Sequence, residues 1–462
     1  MQIEDVKKSV LNRIKPTKQE EEKIKKFVQE LVRIAKTISG LECIVCGSIG
    51  KFTWLRGDHD IDLFIIFPDN TTREELEKRG LEFGKRIVEE MHGLYKIKYA
   101  EHPYTHAIIS DFHVDIVPCY SMKSGEHIKS AVDRSPLHLN YIIEHLDEEK
   151  RDEVRILKQF CKGIGVYGSD AKHLGFSGYI CELLILKYGT FENVLQEATN
   201  WKPPTIIFFR HIESDKIDIE KFPRQPLILI DPTDINRNAA SVLNANNYVK
   251  FINFSKRFLA KPSINYFFPK EKKPLTEKQI KNMHSRETKF VAIIMKRPDV
   301  IEDVLYPQIR KAVKRIESML IHNNFYPIRA HEFVKKRHII LIFELEIWRL
   351  PQVNKMIGPP IFSHKHSEEF VKKYKNDKNS LIYIEGIRWV VERRREFISA
   401  TDFLKKLIKN NEESLIEKGI PTYIAKVMRK AKILEHKDFW RAIKKDKELS
   451  AFIKEKYFEK NY

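Results

Sequence analysis

The sequence predicts an α+β protein of several domains. Three observations carry that expectation. At 462 residues the chain is longer than one hydrophobic core sustains, and the usual domain size divides it into two to four. Up to about Tyr120 it alternates helix-period segments with short, strongly apolar runs, the pattern of a small α/β unit. Beyond that it turns helical, returns to strand and helix alternation, and ends in a Lys-rich helical stretch. The partition that follows is a head over 1–140, a helical central domain over 141–268, an α/β body over 269–398 and a helical basic tail over 399–462.

Thr17 and Glu20 make a capping box, and Ile24, Phe27, Leu31, Ile34 and Ile38 repeat at helical spacing, so 17–38 is predicted helical and is stopped by Gly40. The strand ECIVC follows, then a Gly-Ser turn, a short helical or looped stretch through Trp54, and the strand DIDLFIIF, ended by Pro68. A helix over TREELEKRGLEFGKRIVEEMHG leads to two more strand candidates, LYKIKYAEHPYTHAIIS and FHVDIVPCY. From SPLHLNYII the chain is helical, and DEEKRDEVRILKQFCKGIG places Val154, Leu157, Cys161 and Ile164 on one face. Beside that face Arg151, Arg155, Lys158 and Lys162 share a basic stripe, either a solvated flank or a phosphate-facing surface. FPKEKKPLTEKQ reads as a linker. KFVAIIMKR, the helix over EDVLYPQIRKAVKRIESML and RHIILIFELEIW suggest a βαβ-type body of the ferredoxin-like kind, without the aromatic signature of an RRM. In the last stretch lysines interleave with Phe403, Tyr423, Phe439, Trp440 and Phe452, which read as core aromatics.

A formal charge of +19, from 83 Lys and Arg against 64 acids, makes nucleic acid the leading partner. Dense charge of both signs is also a thermophile trait, which explains the density better than the sign. No apolar run approaches the roughly 18 residues of a membrane span. The charged start MQIEDVKKSV lacks a signal peptide's apolar core, so a soluble cytoplasmic protein is expected. Five cysteines with one close pair, Cys43 and Cys46, argue against a disulfide scaffold. That C-x-x-C has no second Cys or His pair for zinc, and buried thiols are expected.

The chemistry concentrates where carboxylates meet an apolar strand. Residues two apart on a strand face the same side, so Asp60 and Asp62 point together while Ile61 and Leu63 point away. Two unpaired carboxylates side by side raise each other's pKa, and a hard divalent cation relieves them. Gly47 and Ser48 end a buried strand where free N–H groups suit phosphate oxygens, with Lys51 in reach. Asp115, between Val114 and Ile116 on another strand, supplies the third acid that a two-metal site uses.

This constellation, hG-S…D-h-D…h-D-h, resembles the DNA polymerase β-type nucleotidyltransferase superfamily. GSIGKFTWLRG, AEHPYTHA, VDIVPCY, IKSAVDRSPLH, GFSGYICELLI and DPTDINRNAA look, in order and spacing, like the archaeal (class I) CCA-adding tRNA nucleotidyltransferases. The likeness is dense over about the first 260 residues and looser through KRPDVIEDVLYPQ and GIRWVVERRREF. The E-D-x-x-R and R-R-D elements of the bacterial and eukaryotic class are absent from the sequence.

The resemblance implies a polymerase β-like nucleotidyltransferase head. It implies a reaction in which the 3′-hydroxyl of a tRNA attacks the α-phosphate of CTP or ATP, pyrophosphate leaves, and C, C and A are added without a nucleic-acid template. Mg²⁺ is the implied cofactor, with Asp60 and Asp62 on both ions and Asp115 on the ion nearest the attacking hydroxyl, also as its base. By motif position Gly47, Ser48 and Lys51 meet the triphosphate, joined by His138, Lys158 and Tyr167, and Arg237 faces the incoming base and helps choose C and A over U and G. Without the resemblance, His138 reads as a helix cap, Lys158 as solvated, Tyr167 as a half-buried core aromatic and Arg237 as a loop arginine. Asp58 reads as a loop acid near the metals and not a ligand. The implied substrate is the acceptor and TΨC arm of tRNA on the basic C-terminal half, and a homodimer is left open. Rival readings are a poly(A) or poly(U) polymerase, a small-molecule nucleotidyltransferase, which the large basic half disfavours, and a non-catalytic RNA-binding protein on the same fold.

Overall fold

The computed structural model of the chain describes residues 2–99, 102–121, 130–209, 212 and 218–458. The motifs AEHPYTHA and IKSAVDRSPLH each begin outside the described residues, at 100–101 and 128–129. Two compact units divide between Lys270 and Glu271.

In the first unit, helix α1 (Ile3–Ile14) precedes α2 (Lys18–Ser39). The capping box is formed: the Thr17 hydroxyl accepts from the Glu20 N–H, and Gly40 ends α2 at φ 66°. Strands β1 (Glu42–Val45), β2 (Asp60–Phe67), β3 (Leu94–Tyr99), β4 (Pro103–Ile109) and β5 (Phe112–Tyr120) form one sheet in the order β1-β2-β5-β4-β3. Only β2 and β5 run parallel among these neighbours. The four-residue turn α3 (Gly47–Gly50) joins β1 to the loop before β2, and α4 (Arg73–Glu90) crosses back over the sheet. Gly80 lets α4 lie directly on β5, since a Cβ there would come 2.6 Å from the Pro118 ring. Ile61, Leu63, Ile65 and Phe67 of β2, Val114 and Ile116 of β5, and Leu31, Leu76 and Phe83 of the helices share one core.

The following helices, α5 (Arg134–His145), α6 (Glu148–Gly163), α7 (Gly178–Tyr188), α8 (Phe191–Ala198) and α9 (Ala245–Ala260), build a second core. Phe160 is its centre, with ring centroids of Phe191, Phe258 and Phe267 within 5.4–5.7 Å. Helix α1 buries Val6, Val10 and Ile14 here although it opens the chain. The region is not helical throughout: β6 (Thr205–Ile207), β7 (Leu227–Asp231) and β8 (Asp234–Asn238) form a small sheet, and DPTDINRNAA spans the β7–β8 hairpin.

The second unit opens with α10 (Glu277–His284) and β9 (Lys289–Lys296), followed by α11 (Glu302–His322), β10 (Tyr326–Val334) and β11 (His338–Ile347). Next come β12 (Val353–Pro360), α12 (His364–Tyr374), β13 (Ser380–Glu385) and β14 (Arg388–Arg394), whose strands make a separate sheet ordered β12-β14-β13. The chain closes with α13 (Ala400–Ile408), α14 (Glu412–Glu417), α15 (Thr422–Met428), β15 (Lys432–Leu434), α16 (His436–Lys445) and α17 (Lys447–Phe458). The main sheet, antiparallel in the order β10-β11-β9-β15, has the split β-α-β layout of a ferredoxin-like fold. Its central strands β9 and β11 are mostly apolar because both faces are covered: Val291, Ile293 and Met295 meet α11, α13 and α15, while Phe290 and Ala292 meet α10, α16 and α17. The last stretch, expected to be all helix, therefore supplies the edge strand β15, whose three residues were too few to leave a period-2 signal. Among the described residues no helix is long and apolar enough to cross a membrane.

Candidate active site

The strand DIDLFIIF carries its acids at its first and third residues, before the apolar run sinks into the core. Asp60 is exposed and Asp62 half-buried. Across the parallel pair, Asp62 stands in register with Asp115 and Asp60 with His113. Gly47 closes the site from the other side. Its φ is +62°, and a Cβ on it would fall 2.0 Å from Asp62 Oδ2, so only glycine lets the turn approach the carboxylate. Burial, then Asp115 and Asp60, push the Asp62 carboxyl up to about 6, with Lys51 pulling the other way. Asp115 Oδ1 contacts His106 Nδ1 on β4. Among the described residues no three His, Cys, Asp or Glu side chains close round a point as a ready-made cage. The donors nonetheless fit a hard divalent cation: they are carboxylate oxygens, with Asp62 in register with Asp115 across the parallel pair and Asp60 two residues away on the same strand. All five cysteines are free and buried, and Cys46, behind Asp62, is pushed up to about 12 by burial and by that carboxylate.

Ser48 lies half-buried in the α3 turn and Lys51 is buried just after it. The basic stripe of α6 is neither a solvated flank nor an open surface at its centre. Arg155 Nε and Nη2 donate to the Trp54 and Phe52 carbonyls at 3.0 and 2.6 Å, and Lys158 is 2% exposed. The stripe grips the loop that follows the Gly-Ser turn. At its end Lys162 faces Asp58 at 3.3 Å, so that loop acid is tied to α6. Tyr167 is half-buried, and its hydroxyl and Lys158 Nζ flank the first turn of α7, 3.3 and 3.4 Å from where a Gly178 Cβ would be.

Two buried carboxylates that the motif reading did not single out organise these groups. Glu182 of α7 binds Lys51 and Lys158 together. Asp231, at the end of β7, accepts from His138 Nε2 at 2.9 Å, Tyr179 OH at 2.9 Å and Arg237 Nη1 at 2.6 Å. Burial alone would raise the Asp231 carboxyl, but His138 and Arg237 hold it well below the usual carboxylate range. His138 is thus no helix cap; burial lowers its pKa against the pull of Asp231. The His138 ring stacks on Tyr179 at 3.8 Å, and Lys51 Nζ sits 4.8 Å over the same Tyr179 ring. Contacts therefore run unbroken from Arg237 through Asp231 and Tyr179 to Lys51, Glu182 and Lys158. The signal for both missed acids was present: LILID and YICELLIL each set one carboxylate in an apolar run, as DIDLFIIF does.

A sheet bearing three carboxylates on adjacent parallel strands beside a Gly-Ser turn, joined to a helical domain, defines a nucleotidyltransferase with a polymerase β-like head. Residues 21–138 match the nucleotidyltransferase domain family, 152–268 the second domain of tRNA nucleotidyltransferases, and 286–436 the C-terminal domain of the CCA-adding enzyme. The CCA-adding enzyme of Methanocaldococcus jannaschii is 37% identical over 454 residues, 95% of this chain and 98% of its own length. That of Methanosarcina acetivorans is also 37% identical, over 88% of this chain and 90% of its own. The chain belongs to the CCA-adding enzymes, tRNA nucleotidyltransferases, and the named relatives are archaeal.

Proposed function

We propose that this chain completes tRNA 3′ ends by adding C, C and A from CTP and ATP at the Asp60, Asp62 and Asp115 site, without a nucleic-acid template. The observation that carries the reading is Asp62, in register with Asp115 and pressed against Gly47, which sets paired acids where a turn can present a triphosphate. Divalent cations held by the three aspartates, Mg²⁺ in this reading, supply charge neutralisation for in-line displacement at phosphorus. Asp115 faces the incoming 3′-hydroxyl and takes its proton, with His106 holding the other side of that carboxylate. Gly47, Ser48 and Lys51 receive the triphosphate, and Tyr167 and Lys158 border it at the first turn of α7. Arg237, fixed through Asp231 beside His138, reads the base edge, a task suited to a planar guanidinium fork. The basic second unit and the flanks of α6 follow tRNA phosphates, and the protein works in the cytoplasm.

The test is an extension assay with Mg²⁺ on tRNA transcripts ending before CCA, after C and after CC, each offered the four nucleoside triphosphates singly and together. C added to the first two, A to the third and a halt at CCA is the expected result. An unlimited A or U ladder would sink the proposal in favour of a tailing polymerase, and tight tRNA binding without extension would leave only an RNA-binding protein.

A further inference from the structure

Glu182 is a deeply buried charge beside the site, its side chain 2% exposed, and the reaction as described does not use it. Oε1 accepts from Thr53 Oγ1 at 2.6 Å and from Lys158 Nζ at 3.1 Å, and Oε2 accepts from Lys51 Nζ at 2.9 Å. Lys158 gives its other donors to Thr53, at 2.8 Å to the hydroxyl and 3.2 Å to the carbonyl. An ammonium has three N–H bonds, so those of Lys158 are all taken inside the protein. Lys51 differs. Among the described residues it gives one hydrogen bond, to Glu182, and otherwise lies over the Tyr179 ring, which leaves donors for a ligand.

Charge counting agrees. Within this trio Lys51 and Lys158 against Glu182 leave one positive charge in excess in a nearly water-free place, where charge is costly, and Asp62 answers it only in part. An anion completes the set. Burial would raise the Glu182 carboxyl, yet the two lysines hold it down to about 2, so it stays ionised and keeps its grip. The backbone on both sides is pinned too, since Arg155 binds the Phe52 and Trp54 carbonyls.

We propose that Glu182 is the positioning residue for Lys51: Thr53 and Lys158 immobilise one oxygen of its carboxylate, and the other aims the Lys51 ammonium at the triphosphate. This deepens the proposed function and rests on its reading that Lys51 meets the triphosphate.

The test measures CTP and ATP incorporation into tRNA ending before CCA and after CC, with thermal melting, for Lys51→Met and Glu182→Gln. Losing one charge-assisted aiming contact should raise KM for both nucleotides about tenfold in Glu182→Gln, with kcat changed much less. Two results overturn the idea. If Lys51→Met raises KM but Glu182→Gln only lowers the melting temperature, Glu182 is structural and the triphosphate reading survives. If Lys51→Met leaves KM unchanged, the underlying reading fails and takes this proposal with it.

Discussion

Replacing Asp62 by Asn should abolish turnover and yet stabilise the metal-free protein. The folded site lifts the Asp62 carboxyl from its ordinary 3.8 to about 6, through burial and the neighbouring Asp115 and Asp60. At roughly 1.4 kcal/mol per pKa unit, that rise is a penalty of about 3 kcal/mol on the ionised form. Because the folded pKa lies above the unfolded one, the folded chain binds the extra proton, so the penalty is absent below pH 3.8, grows as pH rises, and is complete above about 6. Asn keeps the shape against Gly47 and removes the charge. In EDTA at pH 7.5 the variant should therefore melt higher, by about 6 °C or more at roughly 2–4 °C per kcal/mol for a unit of this size. At pH 4.5 the gap should shrink to about a third, and millimolar Mg²⁺ at pH 7.5 should close it by raising the parent alone. Differential scanning calorimetry across these conditions is the assay. A variant that melts at or below the parent in EDTA at pH 7.5, or a gap indifferent to pH, would refute the claim that the site holds a buried carboxylate, crowded by two others, for a cation to relieve.

Gly47→Ala should cut the rate of C addition at least about a hundredfold, since a misplaced reacting geometry of this order costs that much; its Cβ would lie 2.0 Å from Asp62 Oδ2 at a φ of +62°, and single-turnover incorporation of CTP is the readout. Asp231→Asn removes the charge that holds Arg237 and His138, so misincorporation of UTP and GTP should rise relative to CTP and ATP while tRNA affinity holds, as measured by competition between nucleotides. Phe160→Ala, at the fully buried centre of the helical core, should destabilise the first unit by about 3–5 kcal/mol in urea unfolding without altering the melting of the second.

The sequence alone determined the elements whose signals are local. Thr17 and Glu20 mark a helix start through their own hydrogen bonds, and acids two apart at a strand's mouth must share a face. Hence the carboxylate site, its turn and the α+β class were legible, with the motif resemblance narrowing the family. Contacts between residues far apart in the chain were not. The stripe on α6 reads as surface because helical spacing tells which residues share a face, not what that face meets; here it meets the 52–54 loop, about a hundred residues earlier. Likewise α1 gives no sign that its partner is α6, and three residues of β15 complete a sheet begun at β9. Glu182 and Asp231 show the same limit most clearly. A single acid in an apolar run announces that it needs a partner, but only the tertiary structure decides which cation comes to it, because pairing depends on where separate elements pack rather than on any spacing along the chain.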